Sequence, residues 1–260
     1  WYLRTRLNSN QKEGYMSKIS AIAITKNDKE NNRRCLKPLV GVVDETIVVG
    51  SYSTDDTEII CQEYEVKFVQ REHVDYSNPK NCGNPISQNP FILSIDADEV
   101  LFNELRDPKF SEKTNLNADG YYCKRLANYC GKKIRHFGWY PAKMMRLFRD
   151  SKAKWVGKVH ETLKLKVVST KFSKGGLLHC SYPSIGKHVE KINKFTDLQA
   201  KGLFDKIKKA SFLKLITAPS FEFFGKFIVK GGFLDGYYGF VISLTPSHYK
   251  FVKSRELWTK

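Results

Sequence analysis

Residues 91–100 read FILSIDADEV, an apolar run after Pro90 that breaks into three acids, Asp96, Asp98 and Glu99. A short apolar run bounded by a proline is the pattern of a buried strand. Upstream, KISAIAIT (residues 18–25) and ETIVVG (residues 45–50) have the same character, and VKFV (residues 66–69) is a shorter version. Between them lie two helical stretches: KENNRRCLKPL, limited by Pro38, and STDDTEIICQEY, whose Ser, Thr and acids form a helix start. Ile59, Ile60 and Tyr64 are its expected inward face. Strands alternating with helices predict an α/β protein with a mostly parallel, Rossmann-like mixed sheet flanked by helices.

In such sheets ligands sit beyond the carboxyl ends of the strands. The segments Thr25–Asp28, Gly50–Ser53 and Asp96–Glu99 each follow an expected strand, so the topology brings them to one rim. In an extended strand residues two apart share a side, which would aim Asp96 and Asp98 at one point. Two hard oxygen donors suit Mg2+ or Mn2+, which take further ligands from a diphosphate. The alternative is that Asp98 caps a following helix.

The chain has 260 residues, with 44 Lys and Arg against 27 Asp and Glu, a formal charge of +17. That balance favours an anionic partner, either phosphate, nucleic acid or a lipid surface. The basic residues are dispersed and form no nucleic-acid-binding module, so no nucleic acid is expected. Six cysteines without a CxxC pair predict a reduced, cytoplasmic chain. Cys123, Cys130, His179 and Cys180 lack the spacing of a structural zinc site. No apolar stretch is long enough for a transmembrane helix.

Residues 1–15 read as an extension before a start at Met16, residues 16–182 as the α/β domain, and residues 183–260 as a helical C-terminal region. Pro79, Pro85 and Pro90 allow at most a short helix in the connection before residue 91. From Gly120 to Tyr182 the pattern is strand-like: GYYCKRL, AKMMRLFR, KWVGKVHETLKLKV and GGLLHCSY. Ser184 is an expected N-cap, followed by an apolar stripe at Ile185, Val189, Ile192 and Phe195. The final segment interleaves aromatics with Lys226, Lys230, Lys250, Lys253 and Arg255, which fits a membrane surface or a second subunit in a homodimer.

The ordered set ISAIAITKND, DETIVVGSYSTDDT, FILSIDADE, GWYPAKMMRLFR and WVGKVHETL resembles the family 2 glycosyltransferases, particularly the bacterial lipopolysaccharide core glycosyltransferases. The resemblance runs from Ile19 to Trp258 and includes GGFLDGYYGF. It implies a GT-A fold, a nucleotide-sugar donor such as a UDP-sugar, and an inverting, metal-dependent hexosyl transfer. The acceptor would be a lipid-linked or lipopolysaccharide-core glycan, met peripherally at the cytoplasmic face of the inner membrane.

Carried onto this chain, the resemblance makes Thr25, Asn27, Asp28 and Ser51 donor contacts. It makes Lys80 a ligand of the base or phosphates, and Asp96 and Asp98 the metal and diphosphate site. Glu161 is the expected base, with His160 as its positioning neighbour and Glu99 as the competing candidate. Arg146 and Arg149 are candidate phosphate ligands. The chain departs from the family at Gly50, where an acid usually receives the nucleoside, and at Lys26, where an aromatic is usual. These departures carry the alternative of a weakened or non-catalytic scaffold.

Overall fold

A computed structural model of the chain describes residues 17–72, 77–102, 116–150, 153–157, 162–166, 169–191 and 212–256. The chain divides into two compact units, one drawn from residues 1–96, 103–122 and 145–172, the other from residues 97–102, 123–144 and 173–260.

The first unit is built on strands β1 (Ile19–Thr25), β2 (Glu45–Gly50), β3 (Lys67–Gln70) and β4 (Phe91–Asp96), with helices α1 (Lys29–Leu36), α2 (Thr57–Gln62) and α3 (Ser77–Gly83) between them. Strand order is β3-β2-β1-β4, all parallel, and β8 (Ala142–Arg149) pairs antiparallel with β4. β1 and β4 are buried almost throughout, which explains their continuous rather than alternating apolar pattern. Ile22, Ile47, Val49, Ile92, Phe148 and Trp155 form one cluster, each burial worth about 1.5–3 kcal/mol. Trp155 belongs to β9 (Ala153–Val156), which pairs antiparallel with β10 (Thr162–Leu165) as a separate two-stranded ribbon.

The register places Thr25 opposite Gly50, Gly50 opposite Gln70, and Ile24 opposite Asp96. The carboxyl ends of all four parallel strands therefore meet at one edge, as the alternation predicts. In α2 the inward face is Thr57, Ile60 and Cys61, spaced three and four apart. Ile59, expected to point inward, is instead exposed because it falls between those positions on the helix surface.

In the second unit β5 (Glu99–Phe102) pairs antiparallel with β11 (Thr170–Tyr182), and β11 lies beside β6 (Gly120–Tyr129), which pairs with β7 (Lys132–Ile134). The outer ends of β6 and β11 belong to the first unit by their residue numbers. Residues 185–191 are helical. Ser184 caps them as expected, its Oγ accepting from Lys187 N at 3.2 Å. Ile192 and Phe195 of the expected stripe lie outside the described residues, and Val189 is exposed. Helix α4 (Phe212–Phe224) runs through a π turn at Gly225–Val229 and a 3-10 turn at Gly232–Asp235 into α5 (Gly236–Glu256). Gly232 is required by close approach: a Cβ there would sit 2.5 Å from the Phe137 ring. Phe137 in turn belongs to a core with Tyr129, Ile134 and Ile242.

No described helix is long and apolar enough to cross a membrane. Residues 1–15, and with them the expected extension, lie outside the described residues.

Candidate functional site

At the edge of the first unit, β1 ends on Thr25, whose buried Oγ1 accepts from Asn32 Nδ2 at 2.6 Å. The chain then turns through Asn27 in the left-handed region, at φ 49, a conformation Asn tolerates better than most residues. Asn27 N donates to Ser53 Oγ at 3.0 Å and Asn27 Oδ1 accepts from Thr54 N at 2.7 Å. Asp28 N donates to Thr57 Oγ1 at 3.1 Å, and its carboxylate accepts from Asn31 Nδ2 at 3.0 Å. Buried Ser51 donates its backbone N–H to Thr25 O at 3.1 Å. The loops after β1 and β2 are thus tied together, and Thr25, Asn27, Asp28 and Ser51 stand at one rim. Lys26 is exposed beside them.

Asp96, the last residue of β4, is held by two cations. Lys80 Nζ lies 2.9 Å from Oδ1 and Arg146 Nη2 donates to Oδ2 at 2.7 Å. The cations are themselves buried, Lys80 at 1% and Arg146 at 2% side-chain exposure. Lys80 also lies 4.5 Å from the centroid of the Trp155 ring. Burial raises the Asp96 pKa, but the charges and hydrogen bonds of Arg146 and Lys80 outweigh it and hold the carboxyl well below the usual range. Arg149 lies elsewhere, over the Phe91 ring at 4.6 Å and 3.8 Å from Asp119.

β4 ends at Asp96, and Ala97 and Asp98 form a turn. The strand-based argument for a shared side therefore does not extend to Asp98. In the second unit Asp98 Oδ2 lies 3.3 Å from His179 Nε2 and 3.3 Å from Ser181 Oγ, while Asp98 O accepts from Cys180 N at 2.7 Å. His179 and Ser181 are two apart on β11, so one strand face presents both. Sequence reasoning considered His179 only as a zinc ligand; its register opposite Glu99 carries it to Asp98. Among the described residues no group of three or more His, Cys, Asp and Glu side chains is arranged to hold a metal.

Asp98, His179 and Ser181 line a cavity of about 420 Å3, together with Arg125, Asn128, Trp139, Tyr182 and Lys191. Sequence reasoning gave the last five no role. Glu99 is fully buried at the start of β5, with Oε1 3.5 Å from Arg125 Nη1. Of the remaining expected site residues, His160 and Glu161 lie outside the described residues.

The departure at Gly50 has a local cause. A Cβ at residue 50 would lie 2.5 Å from Phe68 Cζ and 3.1 Å from Gln70 Oε1. Gln70 Oε1 accepts from Tyr52 N at 3.1 Å, and its Nε2 donates to Glu58 at 2.9 Å. The side chains of β3 occupy the space that an acid on β2 would need.

The family model described as "Glycosyl transferase family 2" matches residues 20–164. An uncharacterized glycosyltransferase of Rickettsia felis is 31% identical over 255 residues, covering 93% of this chain and 90% of that protein. The lipopolysaccharide core biosynthesis glycosyltransferase LpsC of Rhizobium meliloti is 25% identical over 256 residues, covering 93% and 92%. Among solved structures, residues 1–349 of TarS from S. aureus match over 93% of this chain and 89% of that one, with 15% identity and a TM-score of 0.46. Glucosyl-3-phosphoglycerate synthase of Mycobacterium tuberculosis, solved with Mn2+ and UDP, matches over 43% of this chain and 44% of that one, with 22% identity and a TM-score of 0.35.

Proposed function

The chain belongs to glycosyltransferase family 2, and from that premise we propose that it moves a hexose from a UDP-sugar, with inversion, to a lipid-linked or lipopolysaccharide-core glycan. Its α/β sheet is the GT-A fold expected from the sequence, and the family uses nucleotide-sugar donors. The observation that carries the reading is the shared edge of the parallel strands, where Thr25, Asn27, Asp28, Ser51 and Asp96 stand together. In this reading those residues receive the nucleotide. Lys80 and Arg146 fix the Asp96 carboxylate, since both are buried against it.

The donor set at Asp98 fits a divalent ion. A carboxylate oxygen and an imidazole nitrogen lie 3.3 Å apart on a cavity wall. Mg2+ or Mn2+ can take its remaining positions from water and phosphate oxygens. Asp96 fits less well, because each of its oxygens already faces a cation. We therefore assign the ion to Asp98 and His179 of the second unit, where it would supply positive charge to phosphate oxygens. The protein's own part is to orient the donor and to present a base to the acceptor hydroxyl. Glu99 is buried against Arg125, which argues against it. Glu161, with His160 beside it, stays the assignment that the family resemblance implies.

The lipid-linked acceptor draws support from α4, the π turn after it and α5, where Phe221, Phe224, Val229 and Tyr237 are exposed. Such a face, with lysines beside it, suits a bilayer surface, here assigned to the cytoplasmic leaflet. LpsC is described as acting in lipopolysaccharide core biosynthesis, which favours that acceptor class.

The test is calorimetric titration of the full chain with UDP and UDP-sugars, with and without Mn2+. Saturable binding strengthened by Mn2+, with the metal response lost in Asp98→Asn and His179→Ala, is expected. Absence of saturable heat with every nucleotide sugar overturns the reading and leaves a non-catalytic scaffold.

A further inference from the structure

The cavity of about 420 Å3 in the second unit has walls that the donor reading, which uses only its Asp98 and His179, leaves without a role. Its volume falls in the range of small-ligand sites, roughly 300–1,000 Å3. Trp139 and Tyr182 are among its lining residues, and the C–H faces of a sugar ring pack against aromatic side chains. Asn128 adds an amide whose Oδ1 is buried and has no hydrogen-bond partner, while its Nδ2 reaches only a weak acceptor, Cys180 Sγ, at 3.5 Å. A buried amide oxygen without a donor is costly.

Two cations complete the wall. Arg125 Nη1 lies 3.5 Å from Glu99 Oε1, and a guanidinium carries five N–H donors. Lys191 is exposed, with its ammonium 5.2 Å from the centroid of the Tyr182 ring. The described acids near this cavity already face basic side chains: Asp98 faces His179, Glu99 faces Arg125, and Glu190, which lines the adjoining pocket with Ser181 and Lys191, faces Lys187. A neutral sugar would use the rings and the amide and offer no anion to either cation.

We propose that this cavity is the acceptor subsite and that it selects a sugar bearing an anionic group, a carboxylate or a phosphate, held by Arg125 and Lys191. The proposal rests on the transferase reading for the word acceptor, but the anion preference stands on the cavity alone. Charge-assisted hydrogen bonds from a guanidinium and an ammonium supply that preference.

The test uses the full chain, with and without saturating UDP and Mn2+, titrated with glucuronate, glucose 6-phosphate and methyl glucoside. Calorimetry and tryptophan fluorescence report binding. Both anionic sugars are expected to bind at least about tenfold more tightly than methyl glucoside. Lys191→Gln, an exposed position, should reduce that ratio towards one without changing the affinity for UDP. Trp139→Ala should weaken all three sugars. A stronger response to one anion tells whether a carboxylate or a phosphate is the natural group.

Equal binding of charged and neutral sugars overturns the proposal. So does competition between UDP and the anionic sugars joined to loss of UDP binding in Lys191→Gln, because the cations would then serve the donor diphosphate. If UDP fails to bind while the anion preference persists, the transferase reading falls and the anionic-sugar site remains.

Discussion

Replacing Asp96 by Asn would leave two buried cations facing a neutral amide. Lys80 and Arg146 expose 1% and 2% of their side chains, so water cannot take the place of the lost charge. Removing one partner of a buried pair costs about 3–5 kcal/mol. Asp96 keeps 26% of its own side-chain surface in solvent, which points to the lower end, about 3 kcal/mol. For a chain of this size that is a fall in Tm of about 6–12 °C. Asp98→Asn, whose partners are partly exposed, should cost less than about 1 kcal/mol.

The two variants can be compared by circular dichroism melts across pH. Because the folded pKa of Asp96 is depressed, its stabilisation is complete above the unfolded value near 3.9 and is lost as pH falls towards the folded value. The gap between wild type and Asp96→Asn should therefore narrow below about pH 4, by about 1.4 kcal/mol per pH unit. An Asp96→Asn variant melting within about 1 °C of wild type at pH 7, or a gap that does not narrow in acid, would refute the reasoning.

Gly50→Asp, which restores the family's usual acid, should destabilise by about 1–3 kcal/mol because its Cβ meets Phe68; adding Phe68→Ala should relieve that clash. Chemical denaturation of the single and double variants measures it, and a neutral single variant counts against the packing argument. His188 is buried against Tyr129, and burial, then Lys191 and Lys226, lower its pKa to about 4. Its neutral form is favoured by folding, so stability should fall as pH drops from about 6.5 towards 4, and His188→Gln should flatten that slope. Parallel slopes in both proteins would reject this. Phe221 and Val229 are 76% and 83% exposed. The double variant Phe221→Glu, Val229→Glu should keep its Tm yet lose sedimentation with vesicles containing an anionic phospholipid; unchanged sedimentation would remove the membrane assignment of α4 and α5.

The parallel strands were legible because burial on both faces leaves uninterrupted runs such as ISAIAIT and FILSID, and topology then determines which loops share an edge. The ring of contacts around Asp96 was not legible. The resemblance marks Lys80 as a ligand of the base or phosphates, Arg146 is a candidate phosphate ligand, and nothing in their local sequence says that each is buried against the same carboxylate. Asp98 illustrates the opposite limit: the period-2 argument fails where the strand stops one residue after Ile95. His179 could have been found by counting back from Ser181 along an expected strand, but only with the β5–β11 register known. The fit of Gly50 to Phe68 depends on cross-strand neighbours that local pattern does not reveal.

The exposed aromatic face of α4 and α5 also governs how the protein behaves in water. Copies that meet through this face would associate, and the formal charge of +17 opposes that encounter. The opposition reaches only about 10 Å at 0.1 M salt and about 3 Å at 1 M. Concentrated salt removes the repulsion while strengthening apolar association, so this chain should come out of solution on salting where most basic proteins tolerate it. Low salt, or a detergent covering the face, is the condition under which it should stay dispersed.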